Sequence, residues 1–167
     1  INKIKSLFKT NKNIVLDAGA ISNFQGKLNT LKNIIYGKNA VITPHEGELR
    51  SIMPNLKGNC IDKALKAASE LNCIVVLKGA TTVIASPDNK AIVNRAGAKW
   101  LATAGSGDVL AGIICGTLSN KMDSFSASAF GVWMHSEIGN YLGPGLVAED
   151  IPENMNLIFK KLLKTTI

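Results

Sequence analysis

Arginine, histidine, cysteine and aromatic side chains are all scarce in this 167-residue sequence. Each shortage removes a class of function. Arg50 and Arg95 are the only arginines, and aromatics make up 5% of the chain. A nucleic-acid surface needs clustered Arg and Lys with aromatics interleaved. Here the net charge of +7 comes from lysines spread along the chain, with mild clusters at Lys3 to Lys12 and Lys160 to Lys164. That pattern reads as a solvated surface and predicts no nucleic-acid partner, although a positive field still draws in anionic ligands such as nucleotides. Three cysteines, Cys60, Cys73 and Cys115, form no CxxC pair and no Cys/His ligand spacing. No metal cluster and no disulfide framework follow from them, and a reducing, cytoplasmic setting is expected. Cys115 falls in an apolar helical stretch and is expected to be buried as a small hydrophobe. Long hydrophobic runs are missing as well. Gly, Lys or Asp interrupts every apolar stretch before the roughly 18 residues that a membrane span needs. The segment Ile1 to Lys12 carries no small-residue cleavage site of a secretory leader. The chain begins with Ile and is expected to be a piece of a longer protein.

What is present is apolar residue in quantity, 46% of the chain against 19% charged, enough for a packed core. Strand-like and helix-like segments alternate. Asn13 to Asp17, Ala40 to Thr43 and Cys73 to Leu77 are short β-branched or continuous apolar runs; the last is of the kind buried on both faces of a sheet. Thr82 to Ala85 and Ala91 to Asn94 flank Pro87-Asp88-Asn89 and predict a β-hairpin. Helical spacing marks Leu28 to Tyr36, Glu46 to Met53 and Ile61 to Leu71. From Gly107 the chain turns mostly helical, over Gly107 to Leu118, Ser124 to Tyr141 and Pro152 to Leu163. Strands separated by helices imply parallel βαβ units with helices on both faces of one α/β domain, residues 1–167, undivided by any linker.

Ligands in an open parallel sheet gather beyond the carboxyl ends of the strands. Three predicted strand ends carry polar or Gly-rich segments: Asp17, then Thr43-Pro44-His45-Glu46-Gly47-Glu48, then Lys78-Gly79-Ala80-Thr81-Thr82. The sharpest local signal is Thr103-Ala104-Gly105-Ser106-Gly107-Asp108, which runs directly into a helix. Its glycines permit a tight turn and a close backbone approach, and the helix start offers free N–H groups to an anion. Asp108 is suited to act as a general base; equally, Ser106 is suited to be the helix N-cap and Asp108 a dipole-favoured first-turn residue. Gly112 and Gly116 suggest close packing of this helix against its neighbours. The sequence holds neither GxGxxG nor GxxxxGK[ST]. Lys78 suits a phosphate contact or a solvated turn. Glu46 and Glu48 are candidate bases or early-turn residues, and His135, beside Trp133 and Met134, is expected to be packed or at the surface. Glu149 and Asp150, before Pro152, suit coordination of Mg²⁺ with a nucleotide, and Asp150 more simply suits a capping role at the helix that follows.

In this order, Thr43 to Glu48, Leu77 to Thr81, Asn94, Gly97, Leu101 to Gly112, His135, Gly145 and Ala148 to Asp150 resemble the C-terminal part of the ADP/ATP-dependent NAD(P)H-hydrate dehydratases. The resemblance runs from Val15 to about Pro152. It implies a ribokinase-like, three-layer αβα fold with a mostly parallel central sheet, from which the N-terminal part of the family domain is missing. It also implies repair of hydrated NADH or NADPH by dehydration driven by ADP or ATP, with Mg²⁺ alongside. By position, Lys78, Gly79, Ala80, Thr81, Thr82, Gly105, Ser106 and Gly107 would contact the nucleotide. His45, Asp17, Glu48, Asn94 and Asp108 would face the hydrated cofactor, with Asp108 as the catalytic base. Relatives suggest a homo-oligomer, and the missing part suggests an N-terminal partner segment. One departure stands out: the family pattern Asp-Ala-Asp has Gly19 at its second acid here, so any role of that acid is absent.

Overall fold

The computed structural model describes residues 1–10, 12–95 and 97–165. Five short strands form one sheet in sequence order: β1 Ile14–Leu16, β2 Ala40–Ile42, β3 Ile74–Leu77, β4 Thr82–Ala85 and β5 Ala91–Asn94. β1, β2 and β3 pair in parallel, and β4 and β5 add antiparallel as the expected hairpin. β4 alone therefore opposes the direction of the other four strands. The helices are α1 Asn2–Leu7, α2 Gly19–Ser22, α3 Leu28–Ile35, α4 Glu46–Ile52, α5 Cys60–Leu71, α6 Ser106–Ser119, α7 Ser124–Leu142 and α8 Asp150–Thr165, with a 3-10 turn at Lys99–Leu101. Neither α1, α2 nor the 3-10 turn was legible as a periodic segment; each is too short to show two turns of spacing.

The alternation of side chains along each strand divides the core in two. Leu16, Ile42, Val75, Leu77, Val83 and Ala85 point to one face, where Leu31 and Ile35 of α3 and the alanines of α5 cover them. Val41, Ile74, Val76 and Ile84 point to the other, against Leu110, Ile114 and Leu118 of α6 and Ala127 and Val132 of α7. This is the expected three-layer arrangement. α5 shows how local sequence fixes an element. Asn59 and Asp62 close a reciprocal capping box at its start, Ala64, Ala67, Ala68 and Leu71 form its buried face, and Asn72 ends it in the left-handed conformation that Asn tolerates. None of the helices among the described residues is long and apolar enough to cross a membrane.

Two expectations about α6 are overturned. Cys115 is exposed, not buried, and a Cβ added at Gly112 or Gly116 would meet nothing within 4 Å. Only one face of α6 packs on the sheet and α7; the face carrying Gly112, Cys115 and Gly116 is open. Cys73, by contrast, is buried and its thiol is pushed up to about 12 by desolvation, which leaves it an inert packing residue.

Close backbone packing occurs instead at Gly139 of α7, where an added Cβ would lie 2.7 Å from Leu101 Cγ and 2.9 Å from Ala98 Cβ. Gly139→Ala is expected to destabilise the protein by about 1–3 kcal/mol, in spite of the ~1 kcal/mol of helix propensity that alanine adds. Chemical denaturation of the two proteins measures the difference.

Candidate active site

The parallel register brings the three polar strand ends together. Thr43 N–H donates to the Leu16 carbonyl at 3.0 Å, and Lys78 N–H to the Pro44 carbonyl at 2.8 Å, so the segments after β1, β2 and β3 lie side by side. At their centre Lys78 Nζ donates to Asp17 Oδ1 at 2.6 Å, with side chains 20% and 11% exposed. A half-buried ion pair of this kind holds the ammonium in place. The same ammonium lies 3.2 Å from the position a Cβ would take on Gly107. A Cβ at Gly107 would therefore press on the ammonium, which would have to give by a few tenths of an ångström.

Asp17 is followed by a strained residue. Ala18 has φ 47° and ψ −123°, a conformation that costs a non-glycine residue about 1–3 kcal/mol. Ala18→Gly removes that strain, which outweighs the ~0.5–1 kcal/mol of extra backbone entropy glycine loses on folding. The variant is expected to melt a few degrees higher, about 2–4 °C, in a calorimetric scan.

The turn before α6 is built differently from the sequence expectation. Gly105, not Ser106, is the N-cap; it has φ +84° and no side chain caps the helix. Ser106 is the first helical residue, and its hydroxyl points sideways to His135 Nε2 at 3.0 Å. Among the described residues the amides of Gly107 and Asp108 donate to no protein acceptor, so the positive end of α6 is left open beside Lys78.

A cavity of about 720 Å³ opens at this rim. Of the residues singled out in the sequence, His45, Lys78, Gly79, Ala80, Thr82, Ser106 and Gly107 line it. Asp17 reaches it through Lys78, and Asn94 through Ser136, to whose Oγ it donates at 2.6 Å. Thr81, Gly105 and Asp108 lie outside the lining; Asp108 is exposed and follows the lining residue Gly107. Glu48 is occupied in a capping box: its carboxylate accepts His45 N–H at 2.9 Å while His45 Nδ1 accepts Glu48 N–H at 3.2 Å. An accepting Nδ1 places the proton of the neutral ring on Nε2, which makes His45 a hydrogen-bond donor at the cavity edge. Glu46 lies elsewhere, paired with Lys63, whose hydrogen bond holds the carboxyl below its usual range.

Gly97, Ala98, Lys99 and Leu101, with Val132, His135 and Ser136 of α7, supply the remaining wall. Gly97, Leu101 and His135 belong to the segments that carry the family resemblance but were given no site role; His135, beside Trp133 and Met134, was expected only to be packed or at the surface. It is buried, and desolvation first, then the nearby Lys78 charge, hold its pKa down to about 4 against the favourable hydrogen bond to Ser106. Asp150 does not act as the helix N-cap; as the first residue of α8, it accepts Val147 N–H at 2.9 Å and closes the turn before that helix. No group of three or more His, Cys, Asp or Glu able to hold a metal occurs among the described residues.

A sheet between two helical layers, with a glycine turn and an open helix start at its parallel strand ends, is the ribokinase-like fold, as solved structures show. A ribokinase-like superfamily protein from Enterococcus faecalis superposes with a TM-score of 0.79 over 94% of this chain and 58% of its own, at 24% identity. The NAD(P)H-hydrate dehydratase profile matches residues 2–155, and the chain belongs to that family. It is 34% identical over 159 residues to the ADP-dependent (S)-NAD(P)H-hydrate dehydratase of Xanthomonas campestris pv. campestris, a match covering 89% of this chain and 52% of the relative. The ADP/ATP-dependent NAD(P)H-hydrate dehydratase of Bacillus subtilis, crystallised with ATP and Mg²⁺, superposes with a TM-score of 0.79 at 27% identity, over 93% of this chain and 57% of that one. The chain thus spans about half the length of the curated relatives it matches.

Proposed function

We propose that this chain carries the nucleotide site and the catalytic aspartate of an ADP- or ATP-dependent dehydratase that returns hydrated NADH or NADPH to the intact cofactor. The observation that carries the proposal is the uncapped start of α6, with the Gly107 and Asp108 amides open and the Lys78 ammonium against Gly107, at the end of the parallel strands. Free amides at a helix start and one adjacent cation are the elements of a phosphate site. The cavity, at about 720 Å³, has room for a nucleotide. Among the described residues no group of three or more carboxylate, His or Cys side chains forms a cage for Mg²⁺. That fits an ion which takes one or two carboxylates and otherwise phosphate oxygens and water, and which shields phosphate charge when bound.

Asp108, exposed and next in sequence to the lining residue Gly107, takes the proton from the hydroxyl of the hydrated ring as that oxygen accepts the terminal phosphoryl group and the nucleotide leaves one phosphate shorter; phosphate then departs with the C–O bonding electrons, the adjacent ring carbon gives up a proton to water, and the ring double bond forms. The Gly107 amide and Lys78 hold the phosphates in line. His45, with its proton on Nε2, donates to an acceptor on the hydrated cofactor. The open α6 face at Gly112, Cys115 and Gly116, together with β1 at the sheet edge, supports a further reading. A complementary α/β segment, of the size by which the relatives exceed this chain, covers this side and closes the hydrated-cofactor pocket.

Nucleotide titration followed by thermal unfolding tests the site. ADP or ATP with Mg²⁺ is expected to raise the melting temperature in a saturable way. Lys78→Met is expected to weaken the apparent affinity about 10- to 100-fold, the equivalent of one lost charge-assisted contact. A saturating shift unchanged by Lys78→Met would remove Lys78 from the phosphate site; no shift at all would remove the nucleotide.

A further inference from the structure

Two adjacent residues of α7, His135 and Ser136, line the cavity. His135 Nε2 lies 3.0 Å from the Ser106 hydroxyl and 3.0 Å from the Ser106 carbonyl. The next residue, Ser136, accepts from Asn94 Nδ2 at 2.6 Å, which ties the end of β5 to the same helical turn. Both are buried, inside a 19-residue helix started by an Asp123 cap.

The arrangement answers a problem that the site poses. A helix start is normally fixed by a Ser, Thr, Asp or Asn side chain that accepts from its second or third amide. Such a cap would occupy the amides that an anion must reach. Here no side chain caps α6, and Gly105, in the left-handed conformation, gives the turn no stiffness of its own. The turn must be held from behind. We propose that His135 is the positioning residue of this turn: its Nε2–H donates to the Ser106 carbonyl and shares the Ser106 hydroxyl, so that the first turn of α6 stays fixed while the Gly107 and Asp108 amides remain open to the ligand. Ser136, one residue on, is tied to the end of β5 through Asn94. A ring that donates from Nε2 must keep its proton there, and the burial of His135 keeps the ring neutral and unable to act as an acid or base near pH 7. In its consequence for ligand binding the inference rests on the nucleotide reading of the cavity; in its account of the turn it does not.

The test compares His135→Gln, whose amide nitrogen reaches where Nε2 stands, with His135→Leu, in the full chain. Ring ¹⁵N spectra of the wild type are expected to give a neutral ring protonated on Nε2. Amide hydrogen exchange at residues 106–108 is expected to quicken by tenfold or more in His135→Leu, beyond any change in α5, and to return toward wild type in His135→Gln. The affinity for ADP is expected to fall about tenfold in His135→Leu and to recover in His135→Gln. A ring protonated on Nδ1, or exchange at 106–108 that moves no more than exchange in α5, would overturn the proposal. Should His135→Leu not fold, the ring spectrum and the exchange pattern of His135→Gln still decide it. Absence of ADP binding in the wild type would instead strike the nucleotide reading, while the spectra and exchange still judge the role of His135 in the turn.

Discussion

Asp108→Asn is expected to lower nucleotide-dependent dehydration by about 10²- to 10⁴-fold, the range over which a positioned general base acts, while leaving the nucleotide-induced rise in melting temperature intact. The separation of the two effects follows from position. Asp108 stands in the first turn of α6, exposed and outside the cavity lining, next to Gly107, which lines it. The phosphate contacts attributed to Gly107 and Lys78 come from the backbone and from a different strand end. The asparagine keeps the shape and the helix start, since no hydrogen bond of the fold depends on the Asp108 carboxylate among the described residues. It removes only the capacity to take a proton. Steady-state rates with hydrated NADH and ADP, set beside a thermal titration with ADP alone, read both quantities. Equal loss of binding and turnover would make Asp108 a binding residue.

Acidification from pH 6.5 toward 4 is expected to cost the fold about 3 kcal/mol through His135 alone, at about 1.4 kcal/mol per pH unit. The ring is neutral in the folded chain, with its pKa held near 4 by burial, against 6.5 for an exposed histidine. Below 6.5 the unfolded chain takes up a proton that the folded chain refuses. Stability is therefore fully present above 6.5 and is lost as the pH falls through the folded value. The carboxylates whose pKa values are lowered by Lys partners or by a helix start, Glu46, Glu70, Asp88 and Asp123, add their losses at lower pH, so the upper part of the window isolates the histidine. Urea unfolding at several pH values would show the slope, and His135→Gln would flatten it between 6.5 and 5. An equal slope in both proteins would place the titrating group elsewhere.

The parts of the fold that were legible in the sequence are those where one physical pattern dominates. The continuous run Ile74–Leu77 is buried on both faces, as its composition requires, and α5 announces itself by its apolar spacing, although its Asn59 cap went unread. The rim was legible because the ends of parallel strands converge: the topology carries Asp17 to Lys78 across 61 positions of sequence. α6 was misread because its composition is apolar throughout, which ordinarily means burial all round. Gly112, Cys115 and Gly116 lie on a face that nothing among the described residues covers, and no periodicity in the segment marks that difference. His135, expected to be packed or at the surface, is buried, but its partner was not legible. A polar side chain inside an apolar helix declares its role only through its partner, and Ser106 lies 29 positions away. The cap of α6 was assigned to the Ser because Ser is the better capping residue, yet an anion site needs those amides left open.

The most direct test of the whole account is a single assay of the protein with hydrated NADH, ADP and Mg²⁺, in which recovery of dihydronicotinamide absorbance and release of phosphate are followed together. The account predicts that the two rise in a one-to-one ratio and that neither occurs without nucleotide. Accumulation of a stable phosphorylated product with no dihydronicotinamide returned would contradict it, and would make the protein a kinase of the same fold.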